Sequence, residues 1–215
     1  MNALLPTLLR DPGLALRFAL RGQVAAPRLR LLAAGLCGAM AWGAAMGSHV
    51  GRAHVWITTL KMPLMLLGTL ALCFPLMHLA VLVARIPLRA HETLTITLGG
   101  IAVFAVALGA LAPVLALFAA TAPIPSMASY LNLYLFCALC GLGAGLFSVR
   151  ALAAGLRAAA PGARVGWVIA GWAAIYQFTG AQAAWVLRPW IGSSYGVEGY
   201  WNLQRGLSGN FYLGV

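Results

Sequence analysis

Residues 94–118 read LTITLGGIAVFAVALGALAPVLALF, twenty-five positions without a charged side chain. About 20 consecutive apolar residues suffice to cross a bilayer as a helix, so this stretch decides the fold class. Four further apolar stretches accompany it. The expected spans are Leu31–Met46, Met62–Ala84, Leu94–Phe118, Ser129–Phe147 and Val165–Leu187. The first is short and rich in Ala and Gly.

The whole composition agrees. The chain has 215 residues, 62% hydrophobic and only 8% charged, whereas soluble domains carry roughly 25% charged residues. The expectation is therefore an all-α integral membrane bundle of five transmembrane helices, with no room for a sizeable soluble module. Residues 1–30 form a cytoplasmic or interfacial segment, 31–188 the transmembrane domain, and 189–215 an aromatic-rich tail outside the cytoplasm.

In the N-terminal segment, Asp11-Pro12 is a helix start, with Asp11 as N-cap and Pro12 in the first turn. Arg17 and Arg21 follow four residues apart and share a face, with Ala15, Leu16 and Ala19 opposite. This pattern predicts an amphipathic helix lying on the membrane surface. No cleavable signal peptide is expected, since no apolar core of signal length precedes a small-residue cleavage site.

The formal net charge is +11, from fourteen cations and three acids, Asp11, Glu92 and Glu198. Nucleic acid is excluded as a partner, because the cations are spread between apolar runs instead of gathered on one polar face. Their distribution sets the topology. Arg10, Arg17, Arg21, Arg28, Arg30, Arg85, Arg89, Arg150, Arg157 and Arg164 fall on one side, and only Arg52, Lys61, Arg188 and Arg205 on the other. The positive-inside rule then puts the N-terminus in the cytoplasm and the C-terminus outside, with membrane lipids as partners. The stretch between the first two spans, SHVGRAHVWITTLK (48–61), is expected to be a short interfacial turn leading into Pro63.

Polar residues inside the spans are the candidates for function. On the fifth, Ala170, Ala173, Ala174, Gln177, Ala181, Ala184 and Arg188 fall along one stripe at helical spacing. Small residues with one glutamine suit close packing of a second helix pinned by a hydrogen bond, or contact with a ligand or ion. Gln182 lies about 140° away on the same wheel and joins no site with Gln177. Arg188, between Trp185 and Trp190 and before Pro189, reads as a helix end whose cation snorkels to headgroups or meets a partner. On the fourth span, Gly141 and Gly145 form a G-x-x-x-G pair beside Cys137-Ala-Leu-Cys140. In this apolar setting the cysteines read as packing residues. On the second, Pro75 is expected to kink the helix, and His78 follows it as an intramembrane ionisable group. No metal site, cofactor motif or catalytic constellation is recognisable, and all five spans lack acids.

Three stretches, LLRDPGLALRFALRG (8–22), KMPLMLLGTLALCFP (61–75) and GAQAAWVLRPWIGSS (180–194) followed by GNFY (209–212), resemble a family of bacterial polytopic membrane proteins without an assigned role. The five-span layout is similar to that of Yip1-type membrane proteins, in layout only. The resemblance implies a membrane location and no activity. The functional expectation is a non-enzymatic accessory or scaffold subunit of a larger membrane complex, partnered by other membrane subunits. The alternative is a permease subunit working with a cytoplasmic ATPase.

Overall fold

The computed structural model describes residues 26–49, 51–122, 127–187 and 190–191, together with Arg10. The expected surface helix after Asp11, Arg188, and the tail beyond Ile191 lie outside the described residues. Among the described residues there are five helices and no strand. They are α1 (Ala26–Gly47), α2 (Arg52–Val83), α3 (Ala90–Thr121), α4 (Met127–Ala159) and α5 (Gly166–Val186).

Four of the five, α1 to α4, are long and apolar enough to cross a membrane. With 32 or 33 residues each, α2, α3 and α4 run to about 48–50 Å at 1.5 Å per residue. That exceeds a hydrocarbon core of about 30 Å. The fifth helix has 21 residues, which is long enough. Its two glutamines, three tryptophans and Tyr176 lower its mean hydropathy, and it is not in that group.

Several expected boundaries change. The second helix begins at Arg52, ten residues before Met62, so 48–61 is not an interfacial turn. Pro63 and Pro75 both lie inside α2, which continues through them. The fourth helix continues past Phe147 to Ala159, which carries Arg150 and Arg157 on the helix and leaves only 160–165 as the connection. The α2–α3 turn is built on Arg85, whose φ of 55° is left-handed. There the Ile86 N–H reaches the Val81 carbonyl at 3.1 Å and buried Ile86 packs beneath, the usual chemistry of a left-handed helix stop. Glu92 closes the start of α3, accepting from the Arg89 backbone N–H at 2.7 Å.

The first helix packs mainly between α2 and α3, α4 packs on α3, and α5 on α2. Glycines make this possible. A Cβ on Gly38 would lie 2.9 Å from the Val106 nitrogen, and one on Gly109 would lie 2.7 Å from the Gly38 Cα. At this crossing backbone rests on backbone, as small residues allow between membrane helices. Around it Ala39, Trp42, Met62, Leu66, Leu108 and Leu115 form one core. A second core gathers Met77, Val81, Ile96, Leu152, Leu156, Val168 and Trp172 at the end where α2 and α4 stop and α3 and α5 begin.

The outer surface is apolar. Leu72 is 69% exposed, and Leu60, Leu64, Leu117, Leu131, Leu142, Leu146 and Phe178 are also exposed. In water such a surface would drive association; in a bilayer it is solvated by acyl chains.

Candidate functional site

Among the described residues ten polar or charged side chains are buried, and half of them come from 48–61. His54, Thr58 and Lys61 are spaced four and three apart, so they share one face of α2. All three are buried, Lys61 to 1% exposure. On the other side of the same stretch Trp56 is 72% exposed and Leu60 67%. Gly43 and Gly47 of α1 admit this face. A Cβ on Gly43 would lie 2.9 Å from the Thr58 carbonyl carbon, and one on Gly47 would lie 2.7 Å from the Val55 Cα.

The hydroxyls are satisfied within α2. Thr58 donates to the His54 carbonyl at 2.9 Å and Thr59 to the Val55 carbonyl at 2.6 Å. The two imidazoles tie separate elements together. His49 Nδ1–H donates to the Ala119 carbonyl at 3.2 Å, on the last turn of α3. His54 Nε2–H donates to the Trp190 carbonyl at 3.1 Å, just past α5. Because carbonyls only accept, these bonds assign a proton to Nδ1 of His49 and Nε2 of His54. Trp190 in turn donates from Nε1 to the Ala184 carbonyl at 2.8 Å, and Ile191 is buried in the first core. Trp190 and Ile191 are thus pinned against the bundle. A buried lysine and two buried histidines at one end of a membrane bundle are unusual, since ionisable groups at such depth are costly and mark working or structural polar centres.

The sequence-predicted candidates are dispersed. His78 is half-buried, with Nδ1 3.2 Å from the Thr93 hydroxyl and its ring stacked on Phe74 at 6.1 Å. Thr93 donates onward to the Arg89 carbonyl at 3.3 Å, so His78 joins α2 to the start of α3. Gln177 is exposed, as are Ala170 and Ala174, and pins no helix among the described residues. The buried face of α5 is Val168, Ile169 and Trp172. The Tyr176 hydroxyl joins it to α2 by donating to the Leu66 carbonyl at 3.0 Å. Gly141 and Gly145 were expected to be a close-packing pair, yet a Cβ on either meets nothing within 4 Å. The close approach belongs to α1, whose Gly38 sits opposite helix backbone. Cys137 and Cys140 are half-buried and free. No group of three or more His, Cys, Asp or Glu that could hold a metal occurs among the described residues. A cavity between Leu32, Leu36, Pro63, Leu67 and Ile101 has apolar walls and room for about one water, so it offers nothing to a larger ligand.

His49, His54 and Lys61 were missed in the sequence because 48–61 was expected to be a loop, with His78 as the deep ionisable group. The signal that identifies them is the 54-58-61 spacing with Trp56 and Leu60 opposite.

Seven arginines, Arg28, Arg30, Arg85, Arg89, Arg150, Arg157 and Arg164, collect at the other end, at the start of α1, the α2–α3 turn, the end of α4 and the start of α5. No family model, curated protein or solved structure matches the chain.

Proposed function

We propose that the chain is a non-enzymatic, membrane-embedded accessory or scaffold subunit of a larger complex in a bacterial inner membrane. One observation carries this reading. Of the small-residue stripes in the sequence, that of α1 is consumed inside the bundle, while a Cβ at Gly141 or Gly145 of α4 meets nothing within 4 Å and Ala170, Ala174 and Gln177 of the α5 stripe are exposed among the described residues. Such stripes are what membrane helices use to approach one another, and a glutamine among them can hydrogen-bond across the contact. Both are therefore offered to another membrane subunit.

In this reading α5 is the fifth span. Its lower hydrophobicity is compensated by packing on α2 and by a helix partner over Gln177. The arginine-rich end faces the cytoplasm, by the positive-inside rule, and the amphipathic stretch after Asp11 lies on that membrane surface. A permease role has less behind it. The two turns that an ATPase would grasp are short, and Ile86, Leu88 and Val165 are folded into the second core.

The test is extraction in a mild detergent. Partners should co-purify in fixed ratio with the native chain and be lost with Gly141→Leu/Gly145→Leu or Gln177→Leu, while the bundle's own unfolding midpoint stays unchanged. A chain that purifies alone as a stable monomer, in all three forms alike, refutes the reading.

A further inference from the structure

The arginine-rich end is not uniform, and one corner of it is incomplete among the described residues. Arg28 is half-buried in the first turns of α1, with its Nε enclosed and without an acceptor among the described residues. Leu31, one turn further on the same face, is buried in a cluster with Ala102 and Val103 of α3 and Ala151 of α4. Arg28 therefore stands one turn before the groove where α1, α3 and α4 meet, and exposed Arg150 precedes Ala151 of the same cluster. An enclosed donor on a charged group without an acceptor is strongly unfavourable. Glu92, the one acid at this end among the described residues, accepts from the Arg89 backbone. The missing acceptor must come from outside the described chain.

The apolar surface says where it comes from. On α4 the exposed apolar side chains run to Leu146 and Phe147, and Arg150 follows within one turn. On α1 exposed Leu29 adjoins Arg28. Both guanidiniums thus sit where acyl-chain surface gives way to charge, the depth of the headgroup layer. A phosphodiester at that depth presents oxygens that planar guanidiniums bind as a fork.

We propose that Arg28 and Arg150 clamp the phosphate of an anionic phospholipid in the groove between α1, α3 and α4. The proposal rests on the bundle being embedded in a bilayer, and it is independent of which protein partner occupies the outer faces of α4 and α5. The intact chain, purified in detergent, is heated with phosphatidylglycerol, with phosphatidylcholine, and with inorganic phosphate. Phosphatidylglycerol should raise Tm by several degrees and the other two should leave it unchanged. Arg28→Gln/Arg150→Gln should abolish the shift. Arg150→Gln alone, at an exposed position that the fold does not need, should reduce it by at least half, while Arg157→Gln should keep it whole. An undiminished shift in Arg150→Gln, or an equal response to phosphatidylcholine, overturns the proposal. A shift with inorganic phosphate alone assigns the corner to a soluble anion and overturns the lipid. Failure here leaves co-purification of partners untouched, so the two readings fail separately.

Discussion

Adding one methyl group at Gly38 tests the contact that holds α1 in the bundle. A Cβ there would stand 2.6 Å from the Ala105 carbonyl carbon and 2.9 Å from the Val106 nitrogen. α1 must withdraw by at least roughly 0.8 Å before 2.6 Å becomes the 3.4 Å at which ordinary contact begins, since the Ala105 carbonyl oxygen is nearer still. The obstacle is the backbone of α3, which cannot rotate aside as a side chain would. A gap of about 0.5–1 Å forfeits a quarter to a half of the dispersion attraction across it, and overpacking of this kind costs about 1–3 kcal/mol. Alanine is better than glycine inside a helix by about 1 kcal/mol, which offsets part of that. Gly38→Ala should therefore destabilise the bundle by about 1–2 kcal/mol, and Gly38→Leu by more. Gly141→Ala and Gly145→Ala carry the helix gain with no clash, so the purified chain should be unchanged or slightly more stable. The assay is unfolding in mixed micelles with increasing SDS, followed by circular dichroism. A Gly38→Ala chain as stable as the native one, or a Gly141→Ala chain equally weakened, would show that the α1–α3 crossing does not set the architecture.

Three further outcomes follow from single contacts. His54→Ala removes the donor to the Trp190 carbonyl and should lower stability by about 1–3 kcal/mol. His49→Ala acts on a different element, so the double variant should lose about the sum in the same unfolding assay. His78→Phe keeps a ring against Phe74 but loses the Thr93 bond. A loss of about 1 kcal/mol is expected, with co-purification of partners unaltered; loss of partners would assign His78 a role beyond holding α2 to α3. Arg85→Gly relieves a left-handed backbone and should raise the thermal midpoint, by about 1 kcal/mol of stability. A lower midpoint would mean that the Arg85 side chain holds the turn.

Helix number was legible because charge-free runs such as 94–118 have one stable outcome in a bilayer: a helix that satisfies its own backbone. Boundaries were less legible where polar residues lie on the buried face. In 48–61 the histidines, threonines and lysine raised the polarity of a stretch that is helical, and Pro63 suggested a break. In a membrane-spanning bundle the exposed side is the apolar one, so Trp56 and Leu60 face outward while His54, Thr58 and Lys61 face in. Read on a helical wheel, the stretch is amphipathic with its polar side toward the core. Charges at the arginine-rich end were placed well because they mark interfaces whatever the packing. The partner of each small-residue stripe was not legible, since a glycine has no side chain to announce which neighbour it admits.

That last point separates fold from function in this chain. Gly38, Gly43 and Gly47 on α1 and Gly141 and Gly145 on α4 look alike in sequence, and the difference between them is geometric. A glycine that holds helix backbone within 3 Å of its missing Cβ cannot accept a side chain without moving a helix. A glycine with open space beyond it can, as far as this chain's fold is concerned, and loses helix propensity by remaining glycine. Unless something outside the chain needs that space, Gly141 and Gly145 weaken α4 for no gain. The same holds for Gln177, which presents an amide on the exposed face of α5 where leucine would be better solvated by lipid. Features that disfavour the isolated bundle, at positions where its own packing does not require them, are therefore the strongest physical argument that the bundle works against another membrane helix.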